Sequence, residues 1–139
     1  GGVAGHTHKH FSSSDVGYFS QLVLTREVSA VTAAVLLVKT STFKSVGGLN
    51  EGDLKIAFND VDLCMKINKK GFRNIWTPFA NLYHHESISR GHEDTPEKIT
   101  RFNKEVSYML EYWGDDLKND PFYNVNLTLK HEDFSIRSL

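Results

Sequence analysis

The sequence has little cysteine, little excess charge of either sign and no long apolar run. Cys64 is the only cysteine among 139 residues, which excludes an internal disulfide and fits a reducing compartment. Sixteen basic and seventeen acidic residues give a formal net charge of −1, so there is no electrostatic reason to expect a nucleic-acid partner. The longest apolar run, Val31–Val38, is far too short to span a bilayer.

Signal-peptide features, internal repeats and low-complexity tracts are also absent from the sequence. The length, with 40% hydrophobic and 24% charged residues, fits one soluble domain with one core. Because the chain opens on Gly1-Gly2 rather than Met, we expect a processed product or an excised piece. The expected location is the cytoplasm, with the inner face of the membrane as the alternative.

Alternating apolar strands and amphipathic helices predict the α/β class. The predicted strands are Val31–Val38, Phe72–Trp76 and Ala80–His84. One short helix is expected after Thr40, ending at Gly47-Gly48, and an amphipathic helix is expected over Pro96–Trp113. A further helix lies within the stretch FNDVDLCMKINKKG, with Asn59 or Asp60 as N-cap and Gly71 past its end.

Two aspartates, Asp60 and Asp62, stand two residues apart at the start of that last helix. A carboxylate there satisfies free backbone N–H groups and the positive end of the helix dipole. Alternatively, hard carboxylate oxygens in an Asp-x-Asp pattern suit Mg²⁺ or Mn²⁺. The alternating His6, His8 and His10 are a weaker metal pattern, and we expect these loop histidines to be solvated.

Two long stretches, VTAAVLLVKTSTFKSVGGLNE and FNDVDLCMKINKKGFRNIWTPFANLYHHESISRG, resemble the second half of family 2 glycosyltransferases. The resemblance is strongest to bacterial rhamnan and O-antigen types. It extends to the opening GGVAGH and to the tail, and so covers nearly the whole chain. It implies a partial GT-A domain over residues 1–139, a fold built around a mostly parallel sheet. The N-terminal half, which binds the nucleotide and holds a metal through its own Asp-x-Asp, has no counterpart here.

The resemblance also implies roles for individual residues. Asp60 occupies the position of the catalytic base, with Asn59 in place of the more usual Glu. Asp62 supports the helix start on the acceptor side, and the loop GGLNE contributes Gly48 and Glu51 to acceptor binding. Small residues at the start of the predicted strand leave room for the donor sugar: Thr32, Ala33 and Ala34.

Further implied roles fall on the stretch HHESISRG. His85, with His84 as the alternative, is expected to reach the metal or the diphosphate, and Arg90 to neutralise the diphosphate as it leaves. The sequence has no HExxH pattern, which argues against a zinc protease.

The expected function is that of an inverting glycosyltransferase fragment, inactive or nearly so on its own, that takes part in polysaccharide synthesis. A divalent metal, Mg²⁺ or Mn²⁺, is expected in the full-length enzyme. The expected partners are a nucleotide-sugar donor, a saccharide or lipid-linked acceptor, peripheral membrane contact and a second copy of the fragment. Two alternatives stay open. One is a non-catalytic saccharide- or protein-binding module, and the other is a metal-dependent hydrolase using His84, His85, Glu86, His92 and Asp94.

Overall fold

A computed structural model describes residues 2–8, 11–83 and 95–138 of the chain. Within them the elements are strand β1 (Arg26–Val28), helix α1 (Thr40–Ser45), helix α2 (Asn59–Lys69), strand β2 (Asn74–Trp76) and helix α3 (Pro96–Lys118). Single 3₁₀ turns occur at Tyr18–Ser20 and Ala33–Val35. The predicted α/β class is therefore confirmed as a mixture of helices with a small sheet.

The two strands pair in antiparallel fashion, with Arg26 opposite Trp76 and Val28 opposite Asn74. In the part of the chain described here, they form a two-stranded sheet. A pair this short is marginal alone and needs a packing partner. The side-chain amide of Asn74 supplies a link to α2, because its Nδ2 lies 2.9 Å from the Ser29 carbonyl and 3.0 Å from the Cys64 carbonyl.

The prediction of a buried strand over Val31–Val38 is wrong. Residues 33–35 form a 3₁₀ turn, in which Thr32 Oγ1 accepts a hydrogen bond from the Ala34 N–H. Leu37, in the same run, is 98% exposed. An apolar, β-branched run becomes a strand only when a neighbouring strand takes up its backbone hydrogen bonds, and the paired strands of this structure lie elsewhere in the chain. The predicted strand over Ala80–His84 is also wrong for residues 80–83, and His84 lies outside the described residues.

The predicted short helix is confirmed as α1, and its glycine stop is confirmed with it. Gly47 has φ of 82° and Gly48 has φ of 68°, values in the left-handed region that glycine adopts without strain. The Gly48 N–H donates to the Phe43 carbonyl at 3.0 Å, which closes the helix end. The N-cap, however, is Lys39, whose side chain makes no capping bond.

Helix α2 is confirmed, but its predicted N-cap is wrong. The cap residue is Phe58, which has left-handed backbone angles of φ 62° and ψ 4°, and its side chain makes no capping bond. Asn59 and Asp60 are already helical. At the other end, Gly71 has φ of 83° and its N–H donates to the Asn68 carbonyl at 2.9 Å, which confirms the predicted stop.

Helix α3 begins as predicted at Pro96 and continues to Lys118, five residues beyond the predicted end at Trp113. Thr95 caps it by accepting the Lys98 N–H at its hydroxyl oxygen. The main buried cluster combines this helix with the loop before α2 and with the N-terminal segment: Val3, Leu54, Met109 and Trp113. Among the described residues, no helix is both long enough and apolar enough to cross a membrane.

Residues near the two ends of the chain pack together around Phe134. Its ring stacks on Tyr18 with centroids 4.6 Å apart, and the His8 ring lies at the same distance. His8 is buried, so the expectation that it is solvated is wrong. His6 is exposed as expected, and His10 lies outside the described residues.

Candidate active site

Asp60 is the second residue of α2, and its side chain is partly exposed. Its Oδ2 accepts a hydrogen bond of 2.9 Å from the Ala33 N–H, and its Oδ1 accepts one of 2.9 Å from the Val61 N–H. A carboxylate has about four acceptor positions, so about two remain for other donors. Asp60 is therefore held in a fixed orientation and keeps the capacity to receive a hydroxyl group.

Two of the predicted donor-side residues lie beside this carboxylate. Ala33 donates its backbone N–H to Asp60, and Thr32 precedes it as the cap of the 3₁₀ turn. The Cys64 thiol contacts the Val31 carbonyl at 3.7 Å and so ties the same segment to α2. Burial raises the pKa of Cys64, which keeps it a neutral thiol suited to this packing role. Thr32 and Ala33 are both exposed, so the residue that donates to Asp60 and the one before it have small, accessible side chains.

Asp62 occupies a different environment from Asp60, because it is fully buried. Its Oδ1 accepts a hydrogen bond of 2.9 Å from the indole N–H of Trp113, and its Oδ2 lies 2.6 Å from Lys66 Nζ. The acceptor-binding role predicted for Asp62 does not fit this geometry, because both oxygens serve the interior. For the same reason, Asp62 has no exposed oxygen with which to form a metal site together with Asp60.

In the predicted acceptor loop, Gly48 is held by contacts with the side chains of Phe43 and Lys66. Gly48 is buried against the Phe43 ring, where an added Cβ would lie 3.0 Å from a ring carbon. Its carbonyl accepts a 3.4 Å hydrogen bond from Lys66 Nζ, the same group that pairs with Asp62. Glu51 is exposed in the turn that follows. The structure therefore gives Gly48 a role in packing and leaves Glu51 accessible to a ligand.

Glu105 is an important residue that the sequence interpretation missed. It lies in α3 with only 1% of its surface exposed, and its two oxygens accept the Ile56 and Ala57 N–H groups, each at 3.0 Å. Arg101 Nε lies 3.8 Å from Glu105 Oε1. A signal existed in the sequence: Glu105 is three residues after Phe102 and four before Met109, so a helical period places it on the apolar stripe.

An open groove of about 680 Å³ lies between the loop at residues 52–55 and α3. Both signs of charge line it, from Asp53, Lys55 and Lys104 among others, and Tyr108 contributes a phenol. Burial, with smaller effects from Asp62 and Asp53, raises the pKa of Tyr108, so the phenol stays a hydrogen-bond donor at neutral pH. Asp60 is not one of the lining residues.

Metal binding was predicted for His85 and diphosphate contact for Arg90, and both residues lie outside the described part of the chain. Within residues 2–8, 11–83 and 95–138, no group of three or more His, Cys, Asp or Glu side chains is placed to hold a metal ion. The described residues thus supply a candidate base and its supports, without a complete ligand set for a cation.

Comparison with known proteins finds relatives of this chain, and two of those reported below have names that state a role. The chain is 54% identical over 138 residues to a protein named y4gI of Sinorhizobium fredii, whose name states no function. It is 32% identical over 142 residues to the O-antigen biosynthesis protein RfbC of Myxococcus xanthus. Over 68 residues, 49% of the chain, it is 34% identical to an N-acetylglucosaminyl-diphospho-decaprenol L-rhamnosyltransferase of Mycobacterium tuberculosis.

These relatives are much longer than the chain. Although 99% and 98% of the chain align with the first two proteins, the alignments cover only 15% and 10% of their lengths. For the rhamnosyltransferase the covered share is 22%. No protein-family model matches the chain, and no solved structure matches it. The named relatives indicate a glycosyltransferase-type relationship at this coarse level.

Proposed function

We propose that this chain is the acceptor-side part of an inverting family 2 glycosyltransferase with a GT-A fold, and that Asp60 is its catalytic base. The observation that carries the proposal is the position of Asp60: partly exposed at the start of α2, oriented by two backbone N–H groups, and next to the small residues Thr32 and Ala33. The names of the Myxococcus and Mycobacterium relatives support sugar transfer as the chemistry.

In the proposed reaction, an acceptor hydroxyl loses its proton to the Asp60 carboxylate while its oxygen bonds to the anomeric carbon of the donor sugar. The bond between that carbon and the diphosphate breaks, and its electron pair leaves with the nucleoside diphosphate. Displacement from the opposite face inverts the configuration at the anomeric carbon. A positioned general base contributes on the order of 10²- to 10⁴-fold to such a step. The Ala33 and Val61 N–H groups keep the accepting oxygens in place.

Other residues have supporting roles in this proposal. Thr32 and Ala33 leave space for the donor sugar, and the turn that carries Glu51 offers a carboxylate to an acceptor hydroxyl. Arg90 and His85 are proposed to contact the diphosphate and its metal. A divalent metal, Mg²⁺ or Mn²⁺, would neutralise diphosphate charge when bound in the full-length enzyme.

The proposed partners follow from the same chemistry. The donor is a nucleotide-diphosphate sugar, and the acceptor is a saccharide, free or lipid-linked. L-Rhamnose is the first donor sugar to test, because one relative is named as an L-rhamnosyltransferase. We place the reaction in the cytoplasm or at the inner face of the membrane. A second copy of the chain is a further proposed partner, because large apolar side chains such as Leu37, Phe79 and Tyr83 are at least 87% exposed.

The test uses the full-length protein that contains this chain, assayed for transfer from a panel of nucleotide-diphosphate sugars. Asp60→Asn is expected to lower kcat by about 10²-fold or more, with donor binding retained, because the amide cannot take the proton. Asp115→Asn, an exposed acid on α3, is the matched control and should leave kcat unchanged. Retained transfer by Asp60→Asn would instead favour a non-catalytic binding module.

A second measurement tests whether the chain needs a separate nucleotide-binding half for transfer. The 139-residue chain and the full-length protein are compared for turnover of the same donors. We expect turnover by the full-length protein and little or none by the chain alone. Robust transfer by the chain alone would show that the proposed separate nucleotide-binding half is not needed.

A further inference from the structure

Three sets of contacts hold the loop before α2 and the first residues of that helix, just before Asp60. Glu105 accepts the consecutive N–H groups of Ile56 and Ala57, and the Asn59 side chain donates to the Leu54 carbonyl at 3.3 Å. The Phe58 ring packs on Phe102 with centroids 5.5 Å apart. Glu105 and Phe102 both belong to α3, so this helix determines where α2 begins.

Phe58 lies in sequence between Asp60 and the two residues held by Glu105, Ile56 and Ala57. The backbone of Phe58 is strained. Its φ of 62° is in the left-handed region, which is unfavourable for a bulky side chain. Such a conformation persists only when the surrounding contacts impose it, and strained residues of this kind cluster at functional sites. The left-handed residue sets the direction in which the first turn of α2 starts, and hence the position of Asp60 two residues later.

We propose that Glu105 is a positioning residue for the reaction, acting through Phe58 on Asp60. The inference rests on the proposed function of Asp60 as base. A buried carboxylate that accepts two adjacent N–H groups is a strong and directional restraint, because hydrogen bonds to a charged group exceed neutral ones. Loosening it allows the Phe58 backbone to relax, and Asp60 then turns away from the acceptor hydroxyl.

The variant Glu105→Gln tests this idea in the full-length protein with a nucleotide-diphosphate sugar. Its amide oxygen can accept one of the two N–H groups, but its NH₂ group faces the other donor. We expect kcat to fall about 10-fold or more, since a misplacement of 1 Å can cost about 10²-fold, while the KM for the donor stays within about 2-fold. In a protein that already carries Asp60→Asn, Glu105→Gln should cause no further loss of the residual rate.

The controls separate positioning from a general loss of stability. Leu127→Ala removes a buried side chain of the C-terminal segment and should lower the unfolding midpoint without changing kcat, when both are assayed well below that midpoint. If Glu105→Gln does not fold, Glu105→Asp takes its place, because the shorter carboxylate cannot span both amides. We expect Glu105→Asp to lower kcat as well, but by a smaller factor than Glu105→Gln.

Three outcomes would overturn the proposal. An unchanged kcat for both Glu105 variants, alongside an inactive Asp60→Asn, would reject the positioning role and leave the base intact. If Glu105→Gln lowers kcat by the same factor in the wild-type protein and in the Asp60→Asn variant, Glu105 acts independently of Asp60. An active Asp60→Asn would remove the proposed function and this inference together.

Discussion

The indole N–H of Trp113 donates a 2.9 Å hydrogen bond to Oδ1 of Asp62, across 51 residues of sequence, and both side chains are buried. Asp62 is in the first turn of α2, and Trp113 is in the C-terminal half of α3. The second oxygen of Asp62 pairs with Lys66 one helical turn further on. The buried carboxylate is therefore held by one hydrogen bond and one ion pair, and the hydrogen bond ties the start of α2 to α3.

Replacement of Trp113 by Phe should therefore destabilise the chain strongly. The change leaves Asp62 Oδ1 buried without its donor and removes part of a fully buried ring, so we expect a loss of about 3 kcal/mol in unfolding free energy. Chemical denaturation measures this loss. Trp76→Phe is the control, because Trp76 is half-buried beside Arg26 and its replacement should cost less than about 1.5 kcal/mol. Equal losses for the two variants would contradict the role of the hydrogen bond.

The two aspartates of α2 should respond differently to the same isosteric change. Asp62→Asn breaks the ion pair with Lys66, in which the Asp62 side chain is buried and the Lys66 side chain is partly exposed. We expect this change to cost about 2 kcal/mol of unfolding free energy. Asp60→Asn keeps an oxygen for the Ala33 N–H, but its NH₂ group faces the Val61 N–H and its interaction with the helix dipole is weaker, so we expect a loss of about 1 kcal/mol. Denaturation of both variants under one set of conditions measures the difference. A larger loss for Asp60→Asn would show that Asp60 is the structural member of the pair.

Local sequence signals predicted the helices of this structure well. The spacing of apolar residues along α3 and the glycines after α1 and α2 are local signals, which can be recognised within a few residues of sequence. These predictions therefore did not depend on distant contacts. The predicted strand at Val31–Val38 failed because strand formation depends on a partner far away in sequence. Phe58 could not be predicted as the cap, since a left-handed backbone is unusual for a bulky residue and its ring contact is with Phe102, which is distant in sequence.

The candidate site shows the same division between local and distant information. The position of Asp60 at the start of a helix was predictable from the pattern around it, but its contact with the Ala33 N–H was not. Asp62 is also an aspartate, two positions after Asp60, and only the structure shows that it is hydrogen-bonded to Trp113 in the interior. Burial separates the two carboxylates, and burial is set by the packing of α3 on α2.

Two glycines with open space around the Cβ position offer a test of backbone conformation alone. Gly71 has φ of 83°, so Gly71→Ala should destabilise the chain by about 1 kcal/mol, although an added Cβ would meet nothing within 4 Å. Gly114 is inside α3, also with nothing within 4 Å, and Gly114→Ala should stabilise by about 0.5–1 kcal/mol. Thermal or chemical unfolding measures both changes. Shifts of the same sign would contradict the assigned backbone conformations.

His8 should make the stability of the chain depend on pH near neutrality. Its Nε2 accepts the Tyr18 N–H at 3.1 Å, and its ring packs against Phe134. Burial lowers the pKa of His8, the nearby Arg26 lowers it further, and Asp15 opposes them. The folded state therefore holds the neutral imidazole, while the unfolded chain binds a proton below a pH of about 6.5. The contribution of His8 is complete above that pH and is lost as the pH falls towards the lowered pKa of the folded state.

Unfolding free energies measured between pH 5 and pH 8 test this linkage. One proton changes the free energy by at most about 1.4 kcal/mol per pH unit, so the slope below a pH of about 6.5 is bounded. His8→Gln retains an acceptor for the Tyr18 N–H but does not titrate, and it should flatten the curve in this range. His131→Gln, at an exposed position, should leave the slope as it is. If the slope survives His8→Gln and disappears in His131→Gln, protonation at the buried position is not the cause, and the aromatic packing around Phe134 tolerates a charged imidazole.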